Sequence, residues 1–317
     1  MLAVKKSIVG NSSLTIFKRT TRLMGDNFEI SVVGTDPVWA NQRMDIAVNE
    51  ISRVEKLLST FSDDSIINQI NRNAGVQPVK VSAEIFNMVN RCMQIAELTY
   101  GVFDITYSTI DKDCYDPEVS KTLKGTLTKT ATCANYKRVV LNAAETTVFL
   151  KEKDMRIGFG AISKGYAADR VKYILQVEGV GSGVINAGGD LLTWGLQPDF
   201  KPWTIAAADP EQKNKPYANI NISDMAIATS VNAEKYAAIN NQISDTISRK
   251  DGFVVSDITN VSILAPTAEF ADAMASPVMA IGINGGLYLI NQLNQIGCII
   301  VDDHKRVYTS KDINITE

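Results

Sequence analysis

Histidine is nearly missing from this chain: its 317 residues contain one, His304, in the polar run VDDHKRVYT near the C-terminus. That run reads as a turn between strands. A single histidine so placed argues against a histidine-rich zinc site and against a Ser-His-Asp triad. Cysteine is also sparse, with four residues, Cys92, Cys114, Cys133 and Cys298, and no CxxC pair. Cys92 and Cys298 lie in apolar surroundings and read as core thiols. Cys114 and Cys133 flank a polar loop and could approach one another, but neither a metal site nor a disulfide framework follows from the spacing. No segment approaches the roughly 18 apolar residues of a membrane span, and the N-terminal MLAVKKSIVGNSSLTIF has no sustained apolar stretch and no lipobox-like cysteine. As written, the chain reads as cytoplasmic. A strong charge bias is lacking too: 32 basic and 35 acidic residues are well mixed, for a formal net charge of −3. No basic face emerges, so nucleic acid is a poor candidate partner.

What remains is an ordinary globular composition, 45% hydrophobic and 21% charged, in a chain long enough for one elaborate domain or two interlocked ones. Alternation over 14–34 predicts two strands joined by the turn Met24-Gly25-Asp26-Asn27. Helical spacing predicts a long amphipathic helix over 38–58, a short helix before Asn73, and a further helix from Ser82 to a terminating Gly101. Residues 137–152 read as a hairpin around 142–145. The segments 201–209, 217–228, SDITNVSILAP, GCIIVDD and RVYTS read as strands, 267–280 as a helix interrupted or kinked near Pro277, and 287–293 as a further helical turn. Hairpins mixed with helices indicate an α+β fold.

The stretch from Ile157 to Asp190 is the most suggestive chemically. It reads as a glycine-rich turn, a helix opening on Lys164-Gly165, and a short strand ending in Asn186-Ala187-Gly188-Gly189-Asp190. Glycine lets backbone approach a ligand, a helix start offers free N–H groups, and a lysine and two aspartates lie close by. These are the requirements of a site for a phosphorylated ligand. The same glycines would also serve a purely structural strand–helix–strand unit, and the glycine pattern alone does not separate the two.

Several short motifs occur in a fixed order. They are Met24-Gly25, the segment LLSTFSDDSIINQIN, Gly101-Val102-Phe103-Asp104-Ile105-Thr106, and Gly160-Ala161-Ile162-Ser163-Lys164-Gly165-Tyr166-Ala167-Ala168-Asp169. Val184-Ile185-Asn186-Ala187-Gly188-Gly189-Asp190, Ala228-Thr229-Ser230 and VSILAPTAEFADAMAS follow. Each alone is weak, but in this order and spacing the chain resembles the ApbE family, the FAD:protein FMN transferases, over nearly its whole length. The resemblance implies an ApbE-like α+β fold, with mixed and antiparallel sheets, packed helices and an FAD cleft between two lobes. It would occupy 14–317 as one domain of two interlocked lobes, after an N-terminal extension, 1–13. It also implies Mg2+-dependent cleavage of FAD, transfer of FMN to a Ser or Thr hydroxyl of an acceptor protein, and release of AMP. Family members commonly work in the periplasm or at the cell surface, whereas this chain shows no leader.

Residue by residue, the resemblance places the metal at the Ala161 carbonyl, Asp272 and Ser276. Asp272 and Ser276 stand at i and i+4, on one helix face, and offer hard oxygen donors suited to magnesium. The alternative for Asp272 is an exposed helical carboxylate, though the small apolar residues of ADAMAS favour a buried role. The flavin positions fall at Met24, Phe61, Val102, Phe103, Asp104, Lys164 and Ile247. Phe61 would stack on a flat ring or act as a local hydrophobic plug; Lys164 would neutralise phosphate or face solvent. Asp104 would accept a hydrogen bond from adenine or ribose, and Asp169 and Asp190 serve equally well as structural caps. The family's usual histidine stands at Asp245 here, and Gly158 replaces a usual aspartate. Asp245 is then the candidate general base, a weaker one if its pKa is low. Transfer of FMN, simple binding of FAD or FMN, and hydrolysis of FAD to FMN and AMP are the three activities this site would support.

Overall fold

The computed structural model describes residues 13–108, 135–208, 216–221, 223–231, 258–311 and 313. Strands β1 (Thr15–Leu23) and β2 (Asp26–Gly34) form an antiparallel hairpin in which Leu23 faces Asp26. Its turn is Met24 and Gly25 alone, both at positive φ, 54° and 79°. A two-residue hairpin needs this backbone because a primed turn matches the right-handed twist of the strands. Met24 adopts it against the ordinary preference of a side-chain-bearing residue, and its amide is held by a 2.7 Å hydrogen bond to Glu55 Oε1.

Glu55 lies on helix α1 (Pro37–Leu58), which opens with Asp36 accepting from the Val38 amide and with proline in its first turn. Met44, Ala47, Ile51, Val54 and Leu58 make its buried stripe, each large member worth about 1.5–3 kcal/mol of apolar transfer. Helix α2 (Ile66–Arg72), strand β3 (Val79–Lys80) and helix α3 (Ala83–Leu98) follow. Ser82 caps α3, and Gly101, at φ 81°, closes its far end by donating to the Ala96 carbonyl at 2.7 Å. After β4 (Thr106–Ser108) and a 3-10 turn, Tyr136–Arg138, come β5 (Val139–Asn142), β6 (Thr147–Leu150) and β7 (Met155–Ile157).

Helix α4 (Ser163–Val177) leads into β8 (Gly183–Ala187), β9 (Asp190–Trp194), β10 (Thr204–Ala208), β11 (Pro216–Asn221) and β12 (Ala226–Val231). The described chain ends with β13 (Ile258–Ala265), α5 (Ala268–Ile281), α6 (Ile283–Ile290), β14 (Gly297–Asp302) and β15 (Val307–Thr309). Eight strands form the main sheet in the order β1-β2-β8-β9-β12-β13-β14-β15. Smaller sheets pair β3-β6-β5, β10-β11 and β4-β7. The fold is α+β, and every pair among the described strands is antiparallel rather than mixed.

Most expected elements appear near their expected bounds, with three differences. The strand expected over 217–228 divides into β11, paired with β10, and β12, which belongs to the main sheet. Helix α5 runs unbroken through Pro277, which lies in its C-terminal part. Helix α6 begins at Ile283, ahead of the expected turn, on the glycine pair Gly285-Gly286 that propensity disfavours. His304 sits in the β14–β15 turn, and Cys92 and Cys298 are buried free thiols, as read from the sequence. Burial pushes the Cys298 thiol up to about 12. Cys114 and Cys133 lie outside the described residues. Among the described residues no helix is long and apolar enough to cross a membrane.

Helices α1, α4 and α5 pack in series behind the sheet. The tightest approach is at Gly165: an added Cβ would collide with the Ala268 carbonyl at the start of α5 and come within 2.8 Å of the Glu269 nitrogen. Gly165→Ala therefore lowers stability by about 1–3 kcal/mol, the usual cost of overpacking against backbone. Chemical unfolding should show an earlier midpoint; an unchanged midpoint would mean that the helices part without penalty.

Candidate functional site

The site forms where two hairpin turns meet the amino end of α4. Met24-Gly25 closes β1–β2, and Gly188-Gly189, at φ 70° and 111°, closes β8–β9. Strands β2 and β8 are neighbours, with Phe28 opposite Ala187, so both turns lie at the same end of the sheet. The Gly188 amide donates to the Asn27 carbonyl at 3.0 Å. A side chain at Gly188 would strike the Asp26 carboxylate, so this glycine brings the two turns together. Asp190, first in β9, accepts from the Thr229 amide at 3.0 Å and ties in the end of β12. The next residue, Ser230, places its hydroxyl 3.2 Å from that of Ser276 on α5.

Helix α4 starts without a side-chain cap. The Gly165 amide donates to Asp272 Oδ2 on α5 at 3.3 Å, placing that carboxylate at the positive end of α4. Among the described hydrogen bonds none ends on the carbonyl of Ala161, four residues earlier. Asp169, one turn further along α4, spends both oxygens on the Ala268 and Glu269 amides, at 2.9 and 2.8 Å, and caps α5. That settles Asp169 as a cap.

Charge at this end of the sheet is unbalanced. Burial, reinforced by the neighbouring Asp190, pushes the Asp272 carboxyl up to about 7. Asp190 is raised as well, chiefly by burial. Lys164 lowers both, but its ammonium is 3.1 Å from Asp26 Oδ2, and Asp26 is held low first by the Asn27 amide and then by Lys164. A half-buried, desolvated carboxyl raised this far, facing a second one, has the electrostatics of a place that a cation would relieve. Behind α4 the charges are instead closely matched. Glu50 and Glu84 share Arg53, Arg170 donates to Glu50 at 3.0 Å, and Tyr166 donates to Glu84 at 2.6 Å. Burial would raise Glu50, but its two arginines outweigh that and hold it low.

The residues expected at the site divide into groups. Met24, Lys164, Ala161, Asp272 and Ser276 belong to the elements just described, with Ser276 exposed on α5. Phe61 is 98% exposed, so it plugs nothing locally and its ring is open to contact. Phe103, at 4% exposure, is a core residue, while Val102 beside it is half-buried. Both Asp104 oxygens already take backbone amides, from Thr106 at 2.8 Å and Tyr136 at 3.0 Å. Asp245 and Ile247 lie outside the described residues. Gly158, where an aspartate was expected from the resemblance, lies against Tyr107, whose ring would be 3.3 Å from an added Cβ.

Two contributors were not read from the sequence. Asp26 is visible there only as a turn residue next to Met24-Gly25. Asn71 on α2 is buried and exchanges hydrogen bonds with the Ile157 backbone, at 2.8 and 3.1 Å, fixing the strand end from which the Gly158–Gly160 turn departs. Its only sequence signal is a polar residue on the apolar face of a short helix. Among the described residues no group of three or more histidine, cysteine, aspartate or glutamate side chains could hold a metal. Any ion here would rest on one or two carboxylates with carbonyl and hydroxyl oxygens, a sparse set that suits magnesium, which keeps several waters.

The model of the ApbE family matches residues 24–300. The chain belongs to the ApbE family. Among curated ApbE relatives, the FAD:protein FMN transferase of Klebsiella pneumoniae (strain 342) is 25% identical over 272 residues, 82% of this chain and 77% of that protein. The crystal structure of the ApbE protein from Thermotoga maritima superposes with a TM-score of 0.77 at 20% identity, covering 94% of this chain and 97% of that one. The flavin transferase ApbE from Vibrio cholerae gives 0.77 at 19% identity, covering 94% and 98%. At these identities the two structures speak for a shared fold.

The raised Asp272 carboxyl has a consequence for stability. The folded protein binds this proton more tightly than the unfolded chain, whose carboxyl titrates near 3.8, so Asp272 makes stability fall as pH rises from about 4 to about 7. Above that window its contribution is flat. Asp272→Asn keeps an acceptor for the Gly165 amide and removes the charge. Without divalent ions it should melt higher than the parent at pH 8, with the gain vanishing near pH 4. Melting curves across that range check this, and an equal gain at both ends would remove the ionised carboxylate as its cause.

Proposed function

We propose that the chain transfers FMN from FAD to a Ser or Thr hydroxyl of an acceptor protein, with release of AMP and dependence on Mg2+. The observation that carries the proposal is the meeting of the start of α4 with Asp272: a desolvated carboxylate takes the Gly165 amide next to Lys164, and no described hydrogen bond ends on the Ala161 carbonyl one turn earlier. Family membership and the printed activity of the relatives support the same reading.

In this account the Ala161 carbonyl, Asp272 and Ser276 would hold a magnesium ion, which would supply positive charge to offset the negative charge developing on the diphosphate. Lys164, at the positive start of α4, binds and orients the anionic diphosphate. The acceptor hydroxyl oxygen forms a bond to the phosphorus on the FMN side. The bond from that phosphorus to the bridging oxygen breaks, and AMP leaves with the bridging oxygen. The hydroxyl proton goes to Asp245. Exposed Phe61, with Met24, offers apolar surface to the isoalloxazine, and the Val102–Asp104 turn and Ile247 complete the flavin's surroundings. The ligand lies between two lobes of one domain over 14–317.

The test is to incubate the purified protein with FAD and Mg2+, with and without a Thr-containing acceptor peptide. Flavin-labelled peptide plus AMP is the expected outcome. Free FMN plus AMP, equally with and without peptide, would show hydrolysis by water instead, and unchanged bound FAD would show a binding protein. Asp272→Ala should remove Mg2+-dependent turnover while leaving the circular dichroism spectrum unaltered; full turnover would refute the metal assignment. Asp245→Asn should lose most turnover at unchanged FAD affinity, and a fully active variant would show that Asp245 is not the base.

A further inference from the structure

The Asp26–Lys164 ion pair joins two elements that sequence separates widely, the first hairpin turn and the start of α4. Lys164 is the cation that lowers both Asp190 and Asp272, and Asp26 is the carboxylate it contacts. The pair is no bystander at the surface rim: Lys164 is 27% exposed, Asp26 41%, and the carboxylate lies directly against Gly188, where no side chain would fit. Arg22 also lowers Asp26, more weakly than Lys164. The Asp26 carboxylate is positioned by its own turn, since Oδ1 takes the Asn27 amide at 2.8 Å while Oδ2 takes Lys164.

We infer that Asp26 sets the affinity of the site for its anionic ligand by holding Lys164 in the unliganded protein. The inference rests on the reading of this site as a diphosphate site. A phosphoryl group and Asp26 present similar oxygens to the same ammonium, so a bound diphosphate competes with Asp26 for the charge of Lys164. Asp26 is thus a positioning residue: it fixes where Lys164 waits and subtracts the strength of the ion pair from the binding energy. The pair also keeps a lysine beside two raised carboxyls from being captured by either one. A partly exposed ion pair is weak, so the exchange costs little enough for binding to proceed.

The test is a double-mutant cycle on equilibrium binding of FAD, and of ADP as a flavin-free diphosphate, in magnesium-containing buffer. Asp26→Asn retains the oxygen that accepts from Asn27 and removes the charge. It should tighten both ligands about two- to fivefold. A merely structural role would loosen binding or leave it unmoved, so the direction is diagnostic. Lys164→Met should weaken both ligands, and adding Asp26→Asn to it should restore far less than it gives the parent. No tightening in the single variant, or an undiminished gain in the Lys164→Met background, would overturn the inference while leaving the diphosphate site standing. If the unmutated protein binds neither FAD nor ADP, the diphosphate reading falls and the role of Asp26 falls with it.

Discussion

Helix α4 lies against the start of α5 only because position 165 carries no side chain, and much of the site depends on that approach. With the helices this close, the Gly165 amide reaches Asp272 and Asp169 reaches the first amides of α5. One helix end is thereby capped by a carboxylate from the other helix, in both directions. The exchange fixes Asp272 at the start of α4, where no described hydrogen bond ends on the Ala161 carbonyl. A bulkier residue at 165 would move Asp272 away from the start of α4, which carries both Lys164 and the Ala161 carbonyl.

The electrostatics follow from the same packing. On the side facing α1, the carboxylates of Glu50 and Glu84 are matched by Arg53 and Arg170, so that face is neutral and structural. On the side facing the hairpin turns, Asp190 and Asp272 are half-buried and partly desolvated, each taking one backbone amide, and among the described residues Lys164, itself engaged by Asp26, is the cation that lowers both. Desolvating the Asp272 carboxylate costs stability that its Gly165 amide and Lys164 do not fully offset, as a folded-state value near 7 implies. Such a cost is a common mark of sites shaped for ligands rather than for folding.

The local parts of this arrangement were legible in the sequence, and the long-range parts were not. The Met24-Gly25 turn, helix α1 and the capped helix α3 follow from alternation, helical spacing and cap chemistry, which act over a few residues. The order of the short motifs carried the family. Asp26 with Lys164, Asn71 with Ile157, and Asp190 with the Thr229 amide join residues far apart in the chain, and nothing in the local pattern of either partner points to the other. Tertiary context also overrode local expectation: Pro277 sits inside α5 without breaking it, and Gly285-Gly286 opens α6 because a Cβ at 286 would press on Val278. Phe61 could not be resolved between packing and display because the two differ only in what surrounds the ring.

The central claim is that α4 and Asp272 together hold a magnesium-dependent diphosphate site. Its most direct test is the melting temperature of the protein with FAD, in magnesium and in chelator, for the parent and for Asp272→Ala. A ligand that binds only the folded state raises the melting temperature. The account predicts an added magnesium-dependent rise in the parent and none in the variant, with a smaller FAD effect in chelator common to both. An equal magnesium-dependent rise in the two proteins would contradict it.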